Sequence, residues 1–263
     1  MSIARHRPSA QDTQKQYARQ AQRYAESSVH GGGESLEAVR RLARVAPTDT
    51  VLDVGTGTGF TAFALASDAG RVIAADLTRQ MLGEGRRLAR ERGLEAKLEW
   101  IVAAAESLPF RDNTFSVTTS RYASHHFHDL PCALREMARV TQPDGRLVLC
   151  DVVAPESPGI VELMNEIEQV RDPTHVWEYP LSQWQERLLP AAGLKVQKVA
   201  PGKSPQIFSE WVQRAGTPRE ATQQLEEMLT SASAEARGAF QVRQEGAEIV
   251  FSWDHATILA TKR

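Results

Sequence analysis

Two cysteines, Cys132 and Cys150, are all that the 263 residues contain. They stand in unrelated contexts without C-x-x-C spacing, so neither a disulfide framework nor a zinc site is indicated, and a reducing compartment fits. Long apolar runs are missing too. Nothing approaches the length of a membrane span, and the amino-terminal segment carries charges without the apolar core of a secretion signal. A cytoplasmic location is the expectation. Nor is there a surplus of charge: 31 Lys and Arg face 33 Asp and Glu, for a formal net charge of -2, which offers no broad electrostatic footprint for nucleic acid. The length can bury one core, and an α/β domain of this size need not be split.

What is present is organised around Val51-Leu52-Asp53-Val54-Gly55-Thr56-Gly57-Thr58-Gly59, followed at once by the apolar run Phe60 to Ala66. A short β-branched run, alternate glycines and apolar residues at helical spacing read as strand, tight turn and helix. Glycine lets backbone N–H groups approach a ligand that a Cβ would hold off, and the helix N-terminus then offers free donors. A dinucleotide fingerprint needs a third glycine at position 60, and Phe60 stands there. Asp53, inside the strand end, suits a cationic ligand group and would repel a pyrophosphate. Asp76 closes the next apolar run, about 20 residues past the glycines, where an acid is placed to accept both hydroxyls of a ribose. The ligand implied has a ribose and a cation.

Along the chain, Arg5 to Pro8 show no period and are expected to fray, and a helix begins near Asp12. Its Tyr17, Ala21 and Tyr24 share one face, either as packing or as a lid, with Tyr24 preferred as the pocket-lining ring because a cation is drawn to aromatic faces. His30-Gly31-Gly32-Gly33 reads as a linker or hinge before a helix ending near Pro47. Further strands are expected at Lys97 to Val102, Phe115 to Thr119, Arg146 to Val153 and Leu194 to Val199, with two more at Glu248 to Phe251 and Ala256 to Lys262. Helices are expected at Arg79 to Arg92, after Asp129 as N-cap, at Gly159 to Val170, from a Ser182-x-x-Gln185 capping box, at Ser209 to Ala215, and from Thr217 with Pro218 at N1. The helical material near 155 to 185 and 205 to 238 exceeds what a nucleotide-binding sheet needs and is expected to wall a substrate pocket. His175, Trp177 and Tyr179 alternate there, to stack on a planar substrate or, the safer reading, to pack.

The end of the fourth strand runs into Arg121-Tyr122-Ala123-Ser124-His125-His126-Phe127-His128. Ligands of open α/β sheets sit outside the carboxyl ends of the strands, so His125 and His126 are the catalytic candidates, as proton acceptors or else as packed core histidines. No metal is expected, because no carboxylate or Cys stands at a telling spacing from the three histidines.

These residues resemble motif I and the ribose acid of the class I S-adenosylmethionine-dependent methyltransferases. The run AESLPFRDNTFSVTTSRYASHHFHDLPCALREMARVTQPDGRLVLCD and the ending EIVFSWDHATILATKR are similar to the branch that contains the ubiquinone and menaquinone C-methyltransferases. The resemblance implies a Rossmann-like α/β fold with a seven-stranded sheet, order 3-2-1-4-5-7-6 and strand 7 antiparallel. It implies one domain over 1–263, with lid helices in 1–46, a cofactor core in 47–153 and substrate-cap helices and last strands in 154–263. By the same resemblance Asp53, Gly55 and Gly57, with Thr56 between them, hold the methionine part of S-adenosyl-L-methionine and Asp76 the ribose. Leu77 and Met81 hold the adenine, Ala105 and Glu106 its edge, and Arg121 is the first residue after strand four. The usual acid of the adenine-edge loop is replaced by Ala104. The implied activity is methyl transfer to a small acceptor, aromatic or quinone-like. Alternatives are a cyclase or rearrangement enzyme on the same fold, and a cofactor-binding module without turnover. A homodimer is left open, and no nucleic-acid partner is expected.

Overall fold

The computed structural model describes residues 8–26 and 31–262. The expectations for Arg5 to Arg7 and for His30 lie outside the described residues. Helix α1, Ala10–Ala25, starts earlier than its apolar pattern because Ser9 and Asp12 form a capping box. Helix α2 is Glu34–Ala43. The core then alternates strands and helices: β1 Thr50–Val54, α3 Phe60–Ala66, β2 Arg71–Asp76, α4 Arg79–Glu91, β3 Leu98–Val102, β4 Phe115–Arg121, α5 Leu130–Val140 and β5 Thr141–Val152. Asp129 caps α5 by accepting from the Cys132 N–H at 2.9 Å, as its sequence leads one to expect.

Helix α6 is Pro158–Arg171. Residues 181–191 form a further helix, α7, whose middle, Trp184–Leu188, widens into a π-turn. Pro190 follows that turn and has no N–H to give to the preceding carbonyl ladder. The capping box expected at Ser182 is absent: the serine lies inside the helix and donates to Glu156 at 2.5 Å, while Pro180 is the N-cap. Strand β6, Leu194–Ile207, leads to α8 Phe208–Ala215, α9 Arg219–Thr230 and α10 Ala234–Ala239. Pro218 is the N-cap of α9 rather than its first helical residue, so the helix begins at Arg219, one residue later than expected. The chain closes with β7 Arg243–Glu245 and β8 Glu248–Lys262.

The sheet order is β3-β2-β1-β4-β5-β8-β6, with β7 paired to β8. The strands up to β5 run parallel, and β8 runs antiparallel to β5 and β6. This is the expected order, with the last long strand counted eighth because of the small β7. The two separate closing strands expected from the sequence are one strand of 15 residues. It stays continuous because β6 pairs with it from Leu194↔Lys262 to Ile207↔Val250, whereas β5 reaches only to His255. Beyond β5, therefore, β6 and β8 continue as a ribbon, edged at its far end by β7.

Period-two alternation sends neighbouring strand residues to opposite faces. Leu52, Val54 and Ile73 pack with α5 and α7 through Leu134, Met137 and Trp184. Val51, Val72 and Val117 pack with α2, α3 and α4 through Val39, Phe63 and Leu88. A third apolar cluster joins α6, α8 and α9 to the ribbon through Met164, Trp211, Leu225, Phe251 and Trp253.

Candidate functional site

A cavity of about 450 Å³ opens at the carboxyl ends of β1, β2 and β4, a volume that suits a cofactor-sized ligand. Gly55, Thr56 and Gly57 form one wall, Asp76, Leu77 and Met81 a second, Ala105 and Glu106 a third, and Tyr24 and Arg121 also line it. Gly55 has φ 67° and Gly57 φ 56°, in the left-handed region that favours glycine. A Cβ on Gly55 would sit 2.5 Å from the Ala123 methyl, so the turn is packed on that side, whereas a Cβ on Gly57 would meet nothing within 4 Å. Asp76 is fixed by its backbone neighbours. Its Oδ2 accepts from the Gly57 N–H and its Oδ1 from the Thr78 N–H, both at 2.8 Å. Burial raises its pKa, and those two donors work the other way.

Asp53 is placed differently from the expectation. It is 1% exposed and is not among the lining residues. Its carboxylate accepts from the Thr56 hydroxyl at 2.6 Å and the Thr119 hydroxyl at 2.7 Å, so it braces the glycine turn from behind. Burial pushes its pKa up to about 6, against the two hydroxyls and the Arg121 charge. Arg121 reaches Thr61 Oγ1 at 3.0 Å and Ser35 Oγ at 3.2 Å. Glu106 lines the cavity and accepts from the His128 N–H at 2.8 Å, tying the loop after β3 to the segment before α5.

The two histidines face the same cavity in opposite states. The Nδ1 of His125 lies 2.7 Å from Asp151 Oδ1 and 3.5 Å from Glu178 Oε1. Burial works against charge on the ring, but these carboxylates outweigh it and hold the pKa up to about 10. His125 is thus a cation at neutral pH. Asp151 is fixed further by the Ser124 hydroxyl, which makes a short hydrogen bond to Oδ2, and by the Val152 N–H. His126 is lowered to about 4, by burial and then by the charge on His125, whose ring centroid is 4.2 Å away. Its Nδ1 faces the Thr174 carbonyl at 3.1 Å, and a carbonyl only accepts, so Nδ1 carries the proton. Nε2 therefore accepts from the Tyr17 hydroxyl at 2.5 Å.

His175 is buried and bonded to Asn165 Oδ1 at 2.8 Å. Neither it nor Trp177 nor Tyr179 lines the cavity, so their packing reading holds. Glu168, Arg171, Glu178, Trp211 and Arg214, from the two regions expected to wall a pocket, line it instead, together with Trp253 of β8. Sequence reasoning missed Asp151, although the rule that flags the end of β4 flags the end of β5 equally. Glu178 and the Tyr17 contact carried no local signal. Among the described residues His125, Asp151 and Glu178 also form the one group that offers three metal-type donors, within 4.8 Å of one another.

A ribose needs a fixed carboxylate and an adenosyl sulfonium needs an open glycine face with aromatic rings nearby. Asp76, Gly57, Tyr17 and Tyr24 meet these needs on the lining of one cavity. Comparison with known proteins points the same way. A family described as a methyltransferase domain matches residues 52–149. The uncharacterized methyltransferase YcgJ of Bacillus subtilis (strain 168) is 36% identical over 249 residues, 94% of this chain and 98% of that protein. Its crystal structure superposes with a TM-score of 0.83 at 37% identity, covering 87% of this chain and 98% of that one. The ubiquinone/menaquinone biosynthesis C-methyltransferase UbiE of Dinoroseobacter shibae is 38% identical over 112 residues, 42% of this chain and 45% of that protein. A [4+2]-cyclase, SpnF, shares the fold at a TM-score of 0.65 and 20% identity, covering 97% of both chains. On the near full-length match with YcgJ, the chain belongs to the S-adenosylmethionine-dependent methyltransferases.

Proposed function

We propose that the chain methylates a small, planar organic acceptor, aromatic or quinone-like, seated between the His125–His126 pair and the two tryptophans. The observation that carries the reading is the continuity of the cavity. One space touches Gly57 and Asp76 at one end and His125, Trp211 and Trp253 at the other. Asp76 holds the ribose, Leu77 and Met81 flank the adenine, and Ala105 and Glu106 lie at its edge. Gly55, Thr56, Gly57 and Arg121 take the amino-acid end, and Tyr24 covers the sulfonium. Helix α1 acts as the lid and the helices after β5 as the acceptor cap of a single domain. When bound, S-adenosylmethionine supplies a methyl group already activated on sulfur, so the protein's main task is alignment, worth at least about 7 kcal/mol in well-oriented systems.

If the acceptor loses a proton, Tyr17 and His126 take it as a pair. The acceptor's proton passes to the Tyr17 oxygen while the phenolic proton moves to His126 Nε2, leaving an imidazolium. His126 is preferred to His125 as the base because the Asp151 carboxylate beside His125 favours its charged form. The charge on His125 keeps His126 neutral and ready to accept, at some cost in basicity. The test is mass spectrometry of cell extract incubated with purified protein and methyl-labelled cofactor. A compound heavier by one methyl, formed with S-adenosylhomocysteine, is expected. An isomerised product without S-adenosylhomocysteine would replace this reading by the cyclase one.

A further inference from the structure

Besides the charged His125, four lysine and arginine side chains line the cavity. Arg171 has Glu168 at 3.0 Å and Lys203 has Asp254 at 2.8 Å, while Arg121 is clasped by the Ser35 and Thr61 hydroxyls and its charge is favoured by the buried Asp53 carboxylate. Arg214, on α8, is the exception. It is half-buried and lines the cavity, and its bonded partner is the neutral side-chain oxygen of Gln206 on the ribbon. Among the described residues no carboxylate lies within ion-pair distance of it. Its own helix carries one acid, Glu210, which is exposed. Burial and the neighbouring Arg171 both work against its charge. A guanidinium cannot shed its proton at any ordinary pH, so a half-buried one without a counterion is a standing electrostatic cost.

The surroundings specify what would relieve that cost. One turn back on the same helix, Trp211 is 2% exposed and lies under the Arg171 guanidinium at 4.8 Å. Trp253 stands edge-on to it at 6.4 Å between ring centroids, its indole N–H fixed on Glu168 at 2.6 Å. Rigid aromatic walls favour a flat ring, and a planar fork of N–H donors favours a carboxylate. We propose that the acceptor is an aromatic carboxylate and that Arg214 holds its anionic group, with the ring against Trp211 and Trp253. This rests on the acceptor chamber assigned above and narrows its occupant. The arginine is a specificity determinant. It fixes which molecules enter and how their reactive atom is presented, and takes no part in the transfer itself.

The experiment is calorimetric titration of the full-length protein, with and without saturating S-adenosylhomocysteine, using 2-naphthoate and its uncharged isostere 2-naphthamide. The acid is expected to bind at least about tenfold more tightly than the amide, the usual worth of a charge-assisted hydrogen bond. In Arg214→Gln the two should bind alike, and Arg214→Lys should restore part of the difference. Equal binding of acid and amide to the unaltered protein would overturn the proposal. So would no binding of either, or a preference that survives in Arg214→Gln. S-adenosylhomocysteine binding is the separate readout. Its loss in the unaltered protein would sink the cofactor assignment, while the acid–amide comparison on ligand-free protein still decides the role of Arg214.

Discussion

His125 and His126 adjoin in the chain and carry different charge, because one ring meets two carboxylates and the other a carbonyl and a phenol. That difference sets what each substitution does. Tyr17→Phe removes the 2.5 Å hydrogen bond to His126 and with it the proposed proton path. Turnover on the natural acceptor is expected to fall by about ten- to a hundredfold, with S-adenosylhomocysteine affinity little changed by calorimetry. Unchanged turnover would mean that the acceptor needs no base. Asp76→Asn is expected to hit binding instead. Both carboxylate oxygens accept backbone N–H groups, so an amide in either orientation sets an N–H against an N–H. A loss of about 1–3 kcal/mol in cofactor binding follows, to be read in the same titration.

At the scale of elements, helix α4 holds two glycines that look alike in sequence and differ in space. A Cβ on Gly83 would meet nothing within 4 Å, whereas one on Gly85 would sit 2.3 Å from the Trp100 ring. Gly83→Ala is therefore expected to stabilise the protein by about 0.5–1 kcal/mol in urea unfolding. Gly85→Ala is expected to destabilise it, through displacement of Trp100. The reverse order would show that the α4–β3 contact is not as described. Strand and helix identities were legible where periodicity is local: β1 to β4 and α5 with its Asp129 cap read directly from the chain, whereas β5 starts at Thr141 and β6 ends at Ile207, where Arg146 and Val199 were expected. The length of β8 was not legible either, because Ser252 to His255 look like a break until β6 is laid beside them. The site divides in the same way. Gly55, Gly57 and Asp76 announced themselves, while the Tyr17–His126 contact joins residues 109 apart, and no spacing rule spans that distance. Asp53 was misplaced because its chemistry was read without the two threonine hydroxyls that claim it.

For the molecule as a whole, the buried histidines tie stability to pH. The folded-state pKa of His125, about 10, lies above its ordinary 6.5, so its contribution is complete below about pH 6.5 and is lost as pH rises through about 10. His126 acts the other way. Its value near 4 means that stability is lost as pH falls from about 6.5 towards 4. Asp53, held near 6, partly cancels that acid limb, since the folded state binds its proton more tightly there. On the alkaline limb the buried Cys150 thiol, pushed up to about 12, adds to the fall above about pH 9. The urea midpoint is expected to fall between about pH 6.5 and 10, and His125→Gln should flatten that slope. S-adenosylhomocysteine at a hundred times its Kd is expected to add about 2.7 kcal/mol to unfolding, measurable by calorimetry.

The ribbon formed by the far halves of β6 and β8 brings Lys203 to Gln206 and Trp253 to the part of the cavity proposed for the acceptor, outside the parallel strands that hold the glycine turn. Side chains there can be exchanged without touching the scaffold that grips the adenosyl group. A chimaera that keeps residues up to β5 and β8 from His255 onward, and borrows the intervening stretch from a relative, should therefore inherit the donor's appetite while retaining its host's affinity for the methyl carrier.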